Sequence, residues 1–261
     1  MRIERQGVVI EDLDGWWRTA PPKDPAKHWV DGRSAKETAR AWLANAPDSA
    51  PPEVASLLSS HTDFVDLVIE RVEPEALLAF DDRPGPRNAD LAIIARDMRG
   101  LVALSIEAKA DETFDDPVAD VFGAALERLL TNPRSGGVAR LLELAQSILP
   151  PRVPGTSAVS DLRYQLLTAV AGTLAYAAAL EAERAVFVVH EFHTTQTSLR
   201  RLAQNAADLD RFVARLSQGS VVAIEPGLLM GPFIVPGEPL FPRQVALYIG
   251  KAVRRIGTPS A

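Results

Sequence analysis

Apolar residues recur along this chain in short runs, and the two most informative runs are neighbours. Residues 88–95 and 101–109 both have the length of a β-strand, and a short turn separates them. Alternate side chains of a strand point to the same face. The second run therefore places Ser105, Glu107 and Lys109 on one face. The two runs predict a β-hairpin. Charged side chains are unusual in strands this apolar, so they indicate a function.

The remaining pattern predicts helices on both sides of this hairpin. Amphipathic spacing and helix-start signals predict helices over residues 35–46, 51–58, 118–130, 138–148, 162–183 and 198–216, of which 162–183 is the longest. Further apolar runs predict strands at 76–80, 185–192, 228–235 and 245–250. A helical segment is expected to end before Pro74, because the residue before a proline is disfavoured in the helical region. Residues 1–30 hold three prolines and three tryptophans, which predicts an extended arm with aromatic anchors.

The order of these elements indicates the fold class. Strands near residues 90, 102 and 185, with helices before and between them, form a β-β-α-β series. This series fits an α/β sandwich with a mixed central sheet flanked by helices. The 261 residues are enough for one large domain or two small ones with an ample core.

Composition narrows the compartment and the partners. The chain has no cysteine, which excludes disulfides and cysteine-based zinc sites and favours the reducing cytoplasm. Its longest apolar run, residues 166–180, is too short to span a bilayer, so no membrane association is expected. The net charge of −6 opposes long-range attraction to nucleic acid. Any nucleic-acid binding should therefore depend on cations close to one site.

Candidate chemistry gathers on the hairpin. Asp90 lies near the start of the first run, and Glu107 and Lys109 close the second. If the two strands pair, Asp90 comes close to Glu107. Two carboxylates suit a hard divalent cation such as Mg²⁺ or Mn²⁺, with an amine beside its bound water. The alternative is a solvated strand end with a weak surface ion pair.

This set resembles the PD-(D/E)XK, or restriction-endonuclease-like, nuclease superfamily. Asp90 matches the acidic residue of the first motif, and Glu107-Ala108-Lys109 matches the second. Ala89 stands where the name-giving proline would be. The segments 28–37 and 161–167 also resemble an uncharacterised bacterial branch of that superfamily.

The resemblance implies one α/β domain over residues 1–261. Its restriction-endonuclease-like core would cover about residues 65–195, with an N-terminal arm and helices in 1–62 and a C-terminal helix and strands in 196–261. It also implies Mg²⁺-dependent phosphodiester hydrolysis, with DNA as the default substrate. Asp90, Glu107 and the carbonyl of Ala108 would hold the ion, and Lys109 would orient or deprotonate the attacking water.

Two further site residues follow from the resemblance. An early helix supplies an acid in many members of the superfamily, and Glu37 is the candidate here. Ser34 and Glu37 also have the spacing of a capping box, which predicts that Ser34 caps this helix. A polar residue on the helix after the second motif can face the metal, and Gln165 is the candidate. A hydrogen bond at the start of that helix would explain Gln165 as well.

Four cations are candidates for contacts to phosphate. Arg83 and Arg87 lie in the loop that leads into the first strand of the hairpin, and Arg33 and Lys36 lie at the start of the first long helix. They predict binding of modest affinity. The alternative for the loop arginines is simple solvation.

Two other functions remain open. The chain could be a catalytically silent interaction protein that keeps the fold, or a metal-dependent hydrolase of a small phosphate compound. A wide basic groove around the site would indicate a polynucleotide, and a closed pocket a small ligand. A homodimer is also left open.

Overall fold

A computed structural model describes residues 1–257 and contains one mixed sheet of eight strands with helices on both faces. The strands are β1 (Arg2–Arg5), β2 (Val8–Val9), β3 (Val68–Leu78), β4 (Arg87–Asp97), β5 (Gly100–Lys109), β6 (Arg184–His193), β7 (Leu229–Phe233) and β8 (Ala246–Arg255). Their order across the sheet is β2-β1-β3-β4-β5-β6-β8-β7. The predicted α/β class with a mixed sheet is confirmed.

The strand directions divide the sheet into two parts. Strands β3, β4 and β5 form an antiparallel meander, and the β4–β5 turn is the predicted hairpin, with Asp97 opposite Gly100. Strands β5, β6 and β8 run parallel, so their carboxyl ends lie at the same edge. Strand β1 is parallel to β3, and β7 is antiparallel to β8.

Eight α-helices cover the two faces of this sheet. They are α1 (Leu13–Thr19), α2 (Pro25–His28), α3 (Ser34–Leu43), α4 (Pro52–Ser59), α5 (Val118–Thr131), α6 (Gly137–Ile148), α7 (Tyr164–Ala179) and α8 (Leu199–Leu216). Short 3₁₀ helices cover Thr62–Phe64 and Val159–Asp161. The helices α1, α3 and α4 pack on one face with Leu104, Ile106 and Val188, and α5 to α8 pack on the other with Phe187 and Val189. Alternation along β5 and β6 thus fills both cores.

The expectation of an extended N-terminal arm is wrong. Residues 2–9 form the β1–β2 hairpin, and α1 and α2 follow it. Ile3, Ile10 and Trp16 are buried in the core beneath α3 and α4. Prolines suggested an arm, but Pro25 begins α2, where its missing N–H has no helical partner to lose.

The expected helix before Pro74 is also wrong. Strand β3 begins at Val68 and continues through Pro74 to Leu78. Pro74 pairs with Leu91 of β4, whereas β1 pairs only with Arg71 and Val72 on the other side. Proline is tolerated because that part of β3 is an edge with no second neighbour to bond.

Three smaller corrections concern helix ends and lengths. Arg33, not Ser34, is the N-cap of α3, and it makes no side-chain cap hydrogen bond. Ser34 Oγ instead donates to Glu112 Oε1 at 3.1 Å, so the predicted capping box does not form. The longest helix is α8 with 18 residues, and α7 has 16. No helix within residues 1–257 is long and apolar enough to cross a membrane.

Candidate functional site

Strands β4 and β5 separate at their open end and form a fork in the sheet. Their pairing runs from Asp97–Gly100 to Leu91–Ile106 and stops there. Beyond that point the start of β4 stays paired with β3, and the end of β5 stays paired with β6. The main-chain N–H and C=O groups of β4 and β5 that face each other across the fork are therefore not hydrogen-bonded to each other.

Asp90 occupies one side of this fork. Its Oδ2 accepts a hydrogen bond of 2.7 Å from the backbone N–H of Ala108. In an antiparallel ladder the N–H and C=O of one residue face the same neighbour. The carbonyl of Ala108 consequently faces the fork as well, on the side of Asp90. Asp90 Oδ1 has no hydrogen-bond partner within the described part of the chain.

Glu107 lies at the centre of the cluster and is only 4% exposed. Its Oε1 accepts hydrogen bonds of 2.8 Å from Lys109 Nζ and from Gln165 Nε2. Its Oε2 is held by the guanidinium of Arg87. The structure thus brings together Asp90, Glu107, Lys109, Arg87 and Gln165, as the sequence predicted for each of them.

Helix α7 closes the cluster from one face of the sheet. Gln165 lies in its first turn, and Ser105 is hydrogen-bonded to Thr173 two turns later. At Gly172 a Cβ atom would lie 3.3 Å from Arg87 Cγ, so a larger residue would press on that side chain. Lys109 is 4% exposed, and its Nζ lies 5.2 Å from the ring centre of Phe114.

Two acids that the sequence did not single out also belong to this cluster. Glu75, on β3, accepts a hydrogen bond of 2.5 Å from Asn88 and interacts electrostatically with Asp90. It has a positive φ of 51°, an uncommon backbone conformation for a residue other than glycine. Glu112 accepts hydrogen bonds from the N–H groups of Ala110 and Asp111 and acts electrostatically on both Asp90 and Lys109. The sequence could have indicated Glu112, because it lies only three residues after Lys109.

Burial shifts the charges of the cluster toward neutrality. It raises the pKa of Glu75 to about 7, with the neighbouring charge of Asp90 as a further cause. Burial also raises the pKa of Asp90, and it lowers the pKa values of Lys109 and Arg87. For Glu112 burial is outweighed by hydrogen bonds from backbone N–H groups, which lower its pKa. Burial therefore disfavours the charged forms of Glu75, Asp90, Lys109 and Arg87.

Glu37 lies outside the contacts of this cluster. Its Oε1 accepts hydrogen bonds of 2.8 Å from the N–H of Gly32 and from Arg40 Nη1. The carboxylate therefore stabilises the start of α3 by accepting a hydrogen bond from a backbone N–H group before the helix, although Ser34 does not cap the helix in return. Its predicted part in catalysis stays a prediction.

The four predicted phosphate contacts are all in ion pairs. Arg83 pairs with Glu143 and Asp81, and Arg87 pairs with Glu107. Arg33 lies 3.5 Å from Asp111 and 3.8 Å from Glu112, and Lys36 lies 2.6 Å from Asp31. Only Arg87 among them contacts the central carboxylates. A ligand would have to compete with these internal acids.

The oxygen atoms in the fork have the chemistry that a hard divalent cation requires. Asp90 Oδ1 is free, the carbonyl of Ala108 faces the fork, and Glu107 is the neighbouring carboxylate. Arg87 Nε and Gln165 Oε1 are buried without a hydrogen-bond partner, so the fork has polar atoms ready for water or a ligand. Arg87 occupies one oxygen of Glu107, and an ion would have to displace it. No group of three or more Asp, Glu, His or Cys residues within 1–257 is arranged to hold a metal.

A family model with the description "Domain of unknown function (DUF6946)" matches residues 10–255. The chain belongs to this family. No curated protein and no solved structure matches it. The DUF6946 match includes both strands of the fork, helix α7 and the whole parallel part of the sheet.

Proposed function

We propose that this DUF6946 protein is a Mg²⁺-dependent phosphodiester hydrolase with a restriction-endonuclease-like core. The observation that carries the proposal is the fork, where Asp90, Glu107 and Lys109 meet at the separated ends of two adjacent strands. Buried side chains with strongly perturbed pKa values mark functional sites more often than structural ones. DNA is the default substrate, by the resemblance of these residues to the PD-(D/E)XK motifs.

The topology around the fork supports the same proposal. The antiparallel meander β3-β4-β5 is followed by helices and then by β6, parallel to β5. This is the β-β-α-β series of an α/β sandwich that the sequence predicted, preceded by β3. Helix α7 places Gln165 against the central carboxylate.

The residues of the fork divide the chemistry among them. When bound by Asp90, Glu107 and the carbonyl of Ala108, Mg²⁺ would polarise the phosphate and lower the pKa of a water molecule. Gln165 fixes Glu107 in one orientation by its hydrogen bond of 2.8 Å. Lys109 orients the attacking water and stabilises the negative charge that develops on phosphate. Burial lowers the pKa of Lys109, so the neutral amine, which is the form that can accept a proton from water, is easier to reach.

A small phosphate ester is the second candidate substrate. Two observations favour it: Glu107 and Lys109 are almost fully buried, and the predicted phosphate-binding cations are already paired with acids. A long polyanion needs accessible cations along its path. A small ester needs only the site itself.

The two substrates can be separated in one set of assays. The purified chain is incubated with plasmid DNA, single-stranded DNA and an aryl phosphodiester, each with Mg²⁺ or Mn²⁺. We expect hydrolysis of at least one substrate, lost by about 100-fold or more in Lys109→Met, because a positioned acid–base group contributes at least that much. Lys23→Met, which removes an exposed lysine outside the fork, is the control and should keep full activity.

Metal binding is tested independently of turnover. Calorimetry should show Mn²⁺ binding that Asp90→Asn and Glu107→Gln each weaken strongly, while Glu127→Gln, at an exposed acid of α5, leaves it unchanged. If neither fork variant alters Mn²⁺ affinity, or if Lys109→Met retains full activity, the proposed function is wrong.

A further inference from the structure

A second cavity lies at the carboxyl ends of β6 and β8, under the first half of α8. The volume of this cavity is ≈ 590 Å³. In open α/β sheets, ligands bind in crevices outside the carboxyl ends of parallel strands. This cavity has that position, and none of the residues of the fork lines it.

The floor of the cavity contains a buried acid with an unused oxygen. Glu191 is 3% exposed, and its Oε1 is buried without a hydrogen-bond partner. Its Oε2 lies 3.0 Å from His193 Nε2. A buried acceptor without a partner destabilises the free protein, so a ligand that donates a hydrogen bond here would remove that cost.

Two cations line the cavity next to this acid. Lys251 and Arg255 are four residues apart on β8, so they point to the same face. Neither side chain forms an ion pair or a hydrogen bond within residues 1–257. Arg254, between them, pairs instead with Glu53 at 3.2 Å. Lys251 and Arg255 are therefore available to an anionic group.

The walls of the cavity are apolar in part, and Glu53, Ser56 and His193 also line it. Leu202, Ala203 and Ala206 of α8 line one side, and Pro226 and Val253 contribute elsewhere. The volume lies within the range of small-molecule sites and far exceeds that of a single inorganic anion. Its ligand should combine an anion, a hydrogen-bond donor and a ring or chain with apolar faces.

We propose that this cavity binds a nucleoside monophosphate. The phosphate would contact Lys251 and Arg255, and an N–H group of the base would donate to Glu191 Oε1. The base and sugar would lie against the apolar residues of α8. A carboxylate accepts hydrogen bonds and donates none. Guanine, which has two adjacent N–H donors, should therefore bind most tightly to Glu191.

The cavity is separate from the fork, although β5 and β6 are adjacent. The segment that follows Lys109 crosses to α8, where Asn205 donates to the carbonyl of Glu112 at 2.9 Å and Arg201 contacts Asp111. Glu191 is the partner of Lys109 in the β5–β6 ladder, but none of the residues of the fork lines the cavity. The inference therefore concerns a second site and does not depend on hydrolysis at Asp90 and Glu107.

Calorimetry on the full chain in EDTA tests the proposal without turnover. The probes are the four common nucleoside monophosphates, guanosine and inorganic phosphate. We expect the monophosphates to bind, guanosine monophosphate most tightly, with guanosine and phosphate each at least tenfold weaker. Glu191→Gln and Arg255→Ala should each weaken the binding about fivefold or more. Glu127→Gln and Arg134→Ala, exposed residues of the same types elsewhere, should leave it unchanged.

Each other outcome is decisive. Arg255 is exposed, so Arg255→Ala should fold normally, and its melting curve verifies this. Absence of binding by all monophosphates at millimolar concentration, or binding that both cavity variants leave unchanged, overturns the proposal. Phosphate that binds as tightly as the nucleotides shows an anion site without base recognition, which also overturns it. Asp90→Asn should bind nucleotide like the unmodified chain. Failure of the proposed hydrolysis at the fork would therefore leave nucleotide binding in the cavity unaffected.

Discussion

The two ends of strands β4 and β5 carry buried charges that behave in opposite ways. At the hairpin end, Arg184 donates two hydrogen bonds of 2.6 Å to Asp97 and a third of 2.9 Å to the carbonyl of Asp63. Tyr248 and Arg99 both donate to the carboxylate of Asp63. None of these side chains has a buried polar atom without a partner. At the fork, Arg87 and Gln165 both have one.

The pKa shifts follow the same division. Hydrogen bonds from Arg184 lower the pKa of Asp97, and those from Tyr248 lower the pKa of Asp63, so the ionised forms are stabilised. At the fork, burial raises the pKa values of Glu75 and Asp90. In the hairpin network, hydrogen bonds stabilise the ionised side chains. At the fork, burial destabilises them, and side chains of this kind are typical of binding and catalytic sites.

The largest expected effect is the loss of Arg184. Arg184→Leu leaves Asp97 buried without its partner, and breaking a buried pair costs about 3–5 kcal/mol. Urea unfolding at pH 7 measures this change. Arg96→Met, which removes an exposed pair with Glu70, is the control and should cost less than about 0.5 kcal/mol. A loss below 1 kcal/mol for Arg184→Leu would remove the proposed contrast between the two ends.

A somewhat smaller effect is expected from Glu75, and it depends on pH. The folded pKa of about 7 exceeds the ordinary value of 4.5, so the folded state binds this proton more tightly. Its contribution to stability is fully present below pH 4.5 and is lost as pH rises through 7. Glu75→Gln should remove this loss and be more stable above pH 7, by up to about 3 kcal/mol.

Unfolding free energies of Glu75→Gln measured from pH 4 to pH 8 check this expectation. Glu73→Gln, a half-buried acid on the same strand that pairs with Arg71, is the matched control. If the unfolding free energies of Glu75→Gln and the unmodified chain depend on pH in the same way, the pKa of Glu75 is not raised at the fork.

The smallest expected effect concerns Arg87. Its guanidinium occupies one oxygen of Glu107, so it competes with any cation that enters the fork. Arg87→Gln should raise the affinity for Mn²⁺ about fivefold, or about 1 kcal/mol, by calorimetry. Arg83→Gln, whose arginine pairs with Glu143, should leave Mn²⁺ affinity unchanged. Weaker Mn²⁺ binding in Arg87→Gln would assign Arg87 a supporting role instead.

The sequence predicted the central part of the fork because local rules apply there. Alternation along an apolar strand placed Glu107 and Lys109 on one face, and the turn before Gly100 set the pairing that brings Asp90 near them. Gln165 was reached through the resemblance alone. The placement of Asp90, Glu107 and Lys109 needed only strand periodicity and the order of elements.

The residues that were missed depend on long-range contacts. Strand β1 pairs with β3 across almost seventy residues of sequence, which no local pattern reveals. Glu75 reached the fork because β3 continues through Pro74, against the expectation of a break. Glu112 faces the site because Ser34 and two backbone N–H groups hold it there. Tertiary contacts decided the positions of β1 and Glu75, and for Glu112 the contact with Ser34 adds to two local hydrogen bonds.

The position of β8 has a consequence for how the chain is made. This last strand lies between β6 and β7, and β7 has no other partner in the sheet. Until a ribosome has produced residues 246–255, the apolar β6 presents an open edge, and such edges invite pairing with other chains. Folding of the sheet can therefore finish only after β8 has been synthesised. We expect chains interrupted before β8 to aggregate instead of accumulating as a smaller folded protein.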